Sequence, residues 1–195
     1  MSFRDELLSH SPGARDAWVD RRFGIEELPD DGPSLPPLCV PYLPSPVDVI
    51  LRMIEQADVR ESDVFVDIGM GAGRTGALVQ LLTGATVVGI EVQPELAQAS
   101  RELAERLGIA ERMSCVVGDA SVAVGQIADG SVYYLYCPFG GERLERVLAE
   151  LEVAAATRPI RVCCLDLPLP PLAWLTLVGA ADRDLTVYGS AAGTR

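Results

Sequence analysis

The sequence predicts an α/β fold, in which helices cover both faces of a largely parallel sheet. An apolar content of 49% suits a sheet that is buried in this way. The first strand-like stretch, 64–68, leads directly into a glycine-rich turn, and a helix-like segment, 74–82, follows. Strand, glycine turn and helix in this order are typical of folds that bring backbone N–H groups against a nucleotide-like ligand.

The glycines of this turn fit two ligand-binding patterns. Gly69, Gly71 and Gly73 form G-x-G-x-G behind an acid, Asp67, whereas Gly71, Gly73 and Gly76 fit the dinucleotide pattern G-x-G-x-x-G. The acid favours the first pattern, because a carboxylate repels a pyrophosphate and attracts a ligand that carries sulfonium and ammonium groups. A nicotinamide or flavin site and a turn without any ligand remain the alternatives.

Composition limits the class of protein. The chain of 195 residues is long enough for one domain with a sizeable core. We expect a cytoplasmic protein that does not span a membrane, because no apolar stretch approaches ~20 residues and the N-terminus is too polar for a signal peptide. A net charge of −12 disfavours a nucleic-acid substrate. Five cysteines without C-x-x-C spacing and a single histidine, His10, argue against a zinc site and predict no metal.

A proline-rich segment precedes the first strand. Seven prolines within 29–46 exclude a helix or a central strand, which leaves either a linker or a stiff flap held over the site. Tyr42 and Ser45 stand among these prolines and favour the flap. Apolar residues at helical spacing then predict a helix over 47–57.

The chain is expected to divide at the end of this segment. Two short helices are predicted over 3–8 and 14–23, and we expect the second to pack on the domain through its apolar stripe. We therefore predict an N-terminal helical segment with the flap, 1–45, and a ligand-binding domain, 46–195.

Acids end three successive predicted strands. Asp67 ends the first strand, and Glu91 ends the second strand 20 residues beyond Gly71, where an acid can accept hydrogen bonds from both ribose hydroxyls. Asp119 follows the third strand. Since ligands bind at the carboxyl ends of strands in such sheets, the three acids are candidates for one site.

The motif D-I-G-M-G-A-G and the three acids resemble the seven-strand (class I) S-adenosyl-L-methionine (SAM) methyltransferases, over roughly 41–188. This resemblance implies SAM as cofactor, a Rossmann-like sheet with a C-terminal β-hairpin, and an adenine contact from Asp119. P-Y-L-P-S-P resembles the proline-rich loop of small lysine methyltransferases, which touches the cofactor. The cofactor-binding residues implied are Tyr42, Ser45, Asp67, Gly69, Gly71, Gly73, Glu91, Val92, Asp119, Ala120, Cys137 and Pro138.

The second half of the sequence departs from the resembled family at two places. Cys137, Pro138 and Phe139 replace a polar residue followed by two prolines and an aromatic, which argues against methylation of a base's exocyclic amine. After the strand over 160–167, L-P-L-P-P stands where the family has a long helix. The last helix is therefore predicted to be shortened or absent, and the less covered face could pair with a second copy in a homodimer.

The expected function is SAM-dependent methyl transfer to a peptide, a protein side chain or a small molecule. The cofactor supplies the electrophile and the protein mainly aligns the reactants, so no catalytic side chain is obligatory. Alternatives are a non-catalytic SAM-fold binding module and a nicotinamide-binding Rossmann protein. Tyr134 and Tyr136 should share one face of the fourth strand and Tyr133 the other. The candidates for a general base are Tyr42 and Tyr136, followed by Tyr133, Asp166 and His10.

Overall fold

The fold is described from a computed structural model of the chain. The structure describes residues 2–25, 35–36, 39–179, 182 and 184–191. Part of the predicted flap, 29–34 and 37–38, therefore lies outside the described residues.

Between residues 64 and 165, strands and helices alternate, as the sequence predicts. The strands are β1 Val64–Ile68, β2 Thr86–Glu91, β3 Met113–Val117, β4 Val132–Tyr136, β5 Arg161–Leu165, β6 Leu175–Leu177 and β7 Leu185–Ser190. The α-helices are α1 Phe3–Ser9, α2 Pro12–Phe23, α3 Val47–Ala57, α4 Arg74–Thr83, α5 Pro94–Arg106, α6 Ala120–Ala123 and α7 Gly141–Ala155.

The strands form one seven-stranded sheet in the order β3-β2-β1-β4-β5-β7-β6. Strands β1 to β5 are parallel, and β7 runs antiparallel to both of its neighbours, β5 and β6. The order reverses between β1 and β4, so the carboxyl ends of these strands flank a crevice where ligands bind in open α/β sheets. The predicted Rossmann-like sheet with its C-terminal hairpin is confirmed.

Each face of the sheet is covered by its own core cluster. On one face Tyr134 packs with Leu7, Val19 and Phe23 of the N-terminal helices, and on the other face Tyr133 packs with residues of α6 and α7. Tyr136 packs against the first cluster, which confirms the predicted alternation along β4. The N-terminal helices thus contribute to the main core, while the division of the chain at residue 45 stays a prediction.

The segment between β5 and β6 lacks the long helix that the resembled family has at this place. Residues 166–174 contain no helix, and three of their side chains cover the sheet instead. Leu167, Leu169 and Trp174 pack against the second core cluster. This confirms the prediction that the last helix is shortened or absent. None of the helices in the described part of the chain has the length and apolar character needed to cross a membrane.

The start of one helix, the length of one strand and the presence of one short helix differ from the sequence prediction. Helix α2 begins at Pro12 rather than at residue 14, because proline suits the first turn of a helix. The fifth strand is shorter than predicted and ends at Leu165. Helix α6 was not predicted, and it forms because the Asp119 carboxylate accepts the Ser121 N–H at 2.9 Å and caps it.

Candidate functional site

A cavity of about 190 Å³ lies along the carboxyl ends of β1 to β5. Each of these neighbouring strands contributes a residue at or just beyond its end. In the order of the sheet, from β3 to β5, these residues are Asp119, Glu91, Gly69, Cys137 and Asp166. The cavity therefore crosses five strands, a distance of about 19 Å at the usual spacing of ~4.8 Å between strands.

The glycine turn between β1 and α4 forms the floor of the cavity. Gly69, Gly71 and Gly73 all have φ in the left-handed region, at 84°, 54° and 84°. Glycine is required at these positions because other residues rarely adopt that φ. The turn is held to β2 by the N–H groups of Gly69 and Met70, which both donate to the Ile90 carbonyl, at 2.9 and 3.1 Å.

All but two of the predicted cofactor-binding residues line the cavity. The exceptions are Gly71 and Gly73, which shape the turn from behind. Gly71 lies directly under the Tyr42 ring, so that a Cβ at this position would collide with the ring. The predicted residues that line the cavity are Tyr42, Ser45, Asp67, Gly69, Glu91, Val92, Asp119, Ala120, Cys137 and Pro138.

The Glu91 side chain is held rigidly at the end of β2. Its carboxylate accepts the Gly71 N–H at one oxygen and the Gln93 N–H at the other, each at 2.8 Å. The side chain is only 6% exposed. Glu91 therefore joins the glycine turn to the end of β2, in addition to the role predicted for it at the ribose.

Asp67 is a buried carboxylate whose hydrogen bonding is incomplete. It is 3% exposed, and its Oδ2 atom has no hydrogen-bond partner among the described residues. Burial, and then the negative charge of Glu91, raise the pKa of Asp67 to about 7. Burying a carboxylate without a partner is costly. A cationic ligand at this end of the cavity would remove that cost, which fits a SAM site.

Residues 39–45, here named the strap, cover the cavity. The Val40 N–H donates to the Pro138 carbonyl at 3.1 Å, beside an antiparallel bridge between Cys39 and Phe139. At the far end of the strap, the Tyr134 hydroxyl donates to Ser45 Oγ at 2.9 Å. These contacts place the described part of the predicted flap over the strand ends.

The Tyr42 side chain faces the cavity from the strap and is a poor proton acceptor. Burial raises the pKa of this phenol to about 12, although the nearby Arg74 charge acts in the opposite direction. Tyr42 is therefore protonated at neutral pH. Its position over Gly71 suits a wall of the site better than a general base.

Asp119 and Arg143 close the β3 end of the cavity. Although burial acts to raise the pKa of Asp119, hydrogen bonds from Ser121 and the charge of Arg143 outweigh it and hold the pKa below its usual range. Arg143 lies 3.1 Å from Asp119 Oδ2 and donates to Cys39 Sγ at 2.9 Å. It therefore ties the β3 end of the site to the strap.

The β4 and β5 end of the cavity contains strained backbone. Cys137 and Asp166 are non-glycine residues with φ of 42° and 49°, in the left-handed region. Tyr136 lies next to them, and burial, followed by the negative charge of Asp166, raises the pKa of its phenol. His10 is absent from the cavity and packs against the Trp18 ring, with 5.2 Å between ring centroids.

Sequence reasoning missed several residues of the site. Gln93 could have been found, because it follows the strand-end acid Glu91 by two positions and its N–H can reach back to that carboxylate. Arg74, the first residue after the glycines, was also missed; it lies outside the cavity and donates to the carbonyl of Ser45, which lines the cavity. No sequence motif singled out Arg143, since it lies on an amphipathic helix far along the chain.

The sheet order, the glycine turn and the cavity at the strand ends define a nucleotide-binding α/β domain. Residues 45–131 match the family described as "Methyltransferase domain". The chain is similar to a structure of an RNA methyltransferase from Salinibacter ruber in complex with S-adenosyl-L-homocysteine. The TM-score is 0.63 and the identity 29%, over 78% of this chain and 95% of that one.

Two curated relatives are also similar to part of the chain. A protein-lysine N-methyltransferase of Saccharolobus islandicus (strain REY15A) is 34% identical, over 41% of this chain and 50% of that protein. A protein-L-isoaspartate O-methyltransferase of Methylorubrum populi (strain ATCC BAA-705 / NCIMB 13946 / BJ001) is 35% identical, over 60% of this chain and 53% of that protein. The chain spans about half the length of these relatives. Together with the fold, the comparisons identify a class I SAM-dependent methyltransferase domain, with SAM as its cofactor.

Proposed function

We propose that this chain is an active SAM-dependent methyltransferase whose acceptor is an amine on a peptide, a protein side chain or a small molecule. The observation that carries the proposal is the buried Asp67 carboxylate, which faces the cavity with one oxygen unpartnered among the described residues. A nicotinamide cofactor would bring a pyrophosphate to this turn, where a carboxylate would repel it. A ligand with an ammonium and a sulfonium group would stabilise the carboxylate instead.

The cavity offers a place for each part of the cofactor. Asp119 and Ala120 are proposed to hold the adenine, Glu91 and Val92 the ribose, and Asp67 with Gly69 the charged amino-acid end. When bound, SAM supplies an electrophilic methyl group. The protein then has to hold the acceptor in line with that group and keep water out, and such positioning contributes about 7–11 kcal/mol in well-aligned reactions.

The acceptor is proposed to enter at the β4 and β5 end, beyond the amino-acid end of the cofactor. There the cavity is lined by Tyr136, Cys137 and Asp166. Arg143, the one basic side chain among the described residues that line the cavity, lies at the opposite end with Asp119. A carboxylate acceptor would therefore find no cation beside it, whereas an ammonium group could pair with Asp166.

Asp166 is proposed to orient the amine and to accept its proton. An amine attacks only after it has lost the proton that it carries at neutral pH, and an adjacent carboxylate can take part in that transfer. Tyr136, a neutral phenol because its pKa is raised, can accept a hydrogen bond from the same nitrogen. Among the named relatives, the protein-lysine N-methyltransferase fits this arrangement better than the isoaspartate O-methyltransferase.

Binding and turnover test the proposal separately. Calorimetric titration should show binding of SAM and S-adenosyl-L-homocysteine, and tighter binding of NAD would contradict the cofactor assignment. Lysine-containing peptides, isoaspartyl peptides and RNA are then compared as acceptors, with S-adenosyl-L-homocysteine release as the readout. Turnover with lysine peptides only is expected. Cofactor binding with no turnover on any acceptor would favour the non-catalytic binding module.

The variant Asp166→Asn tests the acceptor end. It should bind SAM as the parent protein does and lose about 10²-fold or more in turnover on an amine acceptor, the usual size of an acid–base contribution. Equal turnover by the variant would remove Asp166 from the mechanism.

The cytoplasmic location and the homodimer expected from the sequence stay predictions.

A further inference from the structure

Arg74 is a fully buried cation outside the cavity, and the proposed mechanism does not use it. It begins α4 directly after the glycine turn and is 2% exposed. Its Nε donates to Asp20 Oδ1 at 2.7 Å, and its Nη2 donates to Asp16 Oδ1 at 2.8 Å. The remaining nitrogen, Nη1, donates to the Ser45 carbonyl at 2.6 Å.

These contacts connect three parts of the molecule that are distant in sequence. Asp16 and Asp20 are four residues apart on α2, so both carboxylates project from the same face of that helix. The same Asp16 oxygen also accepts the Val47 N–H at 3.1 Å, at the start of α3. Arg74 therefore links α2, the end of the strap and the helix that follows the glycine turn.

The geometry requires an arginine. Its planar guanidinium presents five donors in a fixed fork, which can reach two carboxylates and a carbonyl at once, whereas a lysine ammonium acts as a point charge. The two carboxylates are 47% and 37% exposed and can be hydrated without the arginine. The buried guanidinium has no such alternative and depends on these partners.

The effect of this link on the site passes through Ser45. Arg74 holds the Ser45 carbonyl, and Tyr134 holds Ser45 Oγ at 2.9 Å. Ser45 and Tyr42 both line the cavity from the strap. The end of the strap next to the glycine turn is thus held by contacts to the backbone and the side chain of one residue.

We propose that Arg74 is a positioning residue for the cofactor site and that helix α2 acts on SAM affinity through it. The proposal rests on the proposed SAM site, because its effect is measured on SAM binding. Arg74 itself does not touch the cavity. It fixes the end of the strap, so that Tyr42 and Ser45 are in place before the cofactor binds.

The variant Arg74→Met tests the link, because methionine keeps an unbranched chain without the charge. SAM Kd should rise about tenfold or more, the effect of losing one hydrogen bond from a charged group. The matched control is Arg15→Gln, which removes another ion pair between α2 and α3, Arg15–Asp48 at 2.6 Å, and leaves Ser45 untouched. The control should leave SAM Kd unchanged.

A double-variant comparison separates positioning from a general loss of stability. Tyr134→Phe removes the second contact to Ser45 and should raise SAM Kd by a few-fold. If both variants act through Ser45, the double variant Arg74→Met/Tyr134→Phe loses less affinity than the product of the two single losses. Independent, multiplicative losses would overturn the proposal.

Asp20→Asn keeps the test available if Arg74→Met does not fold. It leaves the guanidinium in place with one anionic partner, and it should raise SAM Kd by about threefold or more through weaker fixation of Arg74. An unchanged Kd in a folded Arg74→Met protein, or in a folded Asp20→Asn protein if Arg74→Met does not fold, overturns the positioning role alone. A parent protein that does not bind SAM overturns the proposed function as well.

Discussion

The two halves of the strand-end cavity differ in how many hydrogen bonds the rest of the protein makes to their acidic side chains. The half at the ends of β1 to β3 is proposed to hold the cofactor and is here named the cofactor half. In it, Glu91 accepts two backbone N–H groups and Asp119 is held by Ser121 and Arg143. The half at the ends of β4 and β5 is proposed to receive the acceptor and is here named the acceptor half. In it, Asp166 is exposed, and the structure shows no hydrogen bond to its carboxylate from the described residues.

This difference shows where the site is preorganised. Groups that are already held in place bind a ligand without a further cost for ordering them, which suits a cofactor common to the whole class. The acceptor half instead has strained backbone at Cys137 and Asp166, and such strain persists only where the surrounding structure imposes it. Asp67 is the exception in the cofactor half, because one of its oxygens lacks a partner among the described residues.

The largest effect is expected from Glu91→Ala, which breaks the rigid half directly. The change leaves the buried N–H groups of Gly71 and Gln93 without their acceptor, so the free energy of unfolding should fall by about 2–4 kcal/mol. Urea denaturation measures this change. The control Glu91→Gln, which keeps one acceptor oxygen, should lose less. An unchanged midpoint for Glu91→Ala would mean that the turn is held by other contacts.

The second prediction concerns the ionisation of Asp67. Because burial and then Glu91 raise its pKa from 3.8 to about 7, the folded protein holds this proton more tightly than the unfolded chain does. The resulting stability is fully present below pH 4 and is lost as the pH rises through about 7. SAM binding should tighten over the same rise, since the carboxylate form attracts a cationic ligand.

Asp67→Asn should flatten both pH profiles. The free energy of unfolding and the SAM Kd are measured at a series of pH values between about 5 and 8. This interval extends about two units below and about one unit above the raised pKa of Asp67. A parent protein whose SAM affinity does not change across this interval would show that Asp67 does not face the cationic end of the ligand.

A third prediction tests whether the strap covers the bound cofactor or is an inert linker. Leu43 is 56% exposed, and because Pro44 blocks cleavage on its carboxyl side, chymotrypsin can cut the strap of the free protein at the Tyr42–Leu43 bond. Saturating SAM, at ten times its Kd, should slow that cleavage by roughly tenfold if only the unbound form is cut. Cleavage at Leu8, on α1 and 44% exposed, is the internal control and should not change. Equal rates of cleavage at the Tyr42–Leu43 bond with and without SAM would favour an inert linker.

The smallest effect is expected from Arg143→Ala. The ion pair with Asp119 is partly exposed to solvent, so its loss should weaken SAM binding by only about 0.5–1 kcal/mol, and by less at high salt. Arg146→Ala is the control, because Arg146 pairs with Glu142 on the exposed face of the same helix. A large loss of affinity for Arg143→Ala would show that this side chain contacts the cofactor directly.

Local patterns in the sequence were sufficient to predict the fold and most of the residues that line the cavity at the ends of β1 to β3. The strand, glycine turn and helix around Asp67 lie within about twenty residues, and the spacing from Gly71 to Glu91 follows from one strand–helix–strand unit. Periodicity also placed Tyr133 and Tyr134 on opposite faces of β4, because the side-chain period of a strand is fixed by its geometry. The lost final helix was predictable from the prolines that replace it.

Contacts between distant parts of the chain were decided only by the tertiary structure. Arg74 meets Asp20 across 54 residues, and Arg143 meets Cys39 across 104 residues. No local pattern specifies such pairs, since each depends on how helices pack on the finished sheet. The sequence by itself determined the class of ligand, because glycines and strand-end acids act through backbone geometry near them. The tertiary structure decided which side chains hold the strap over that ligand, because burial and charge pairing arise only when α2, the strap and α4 are brought together.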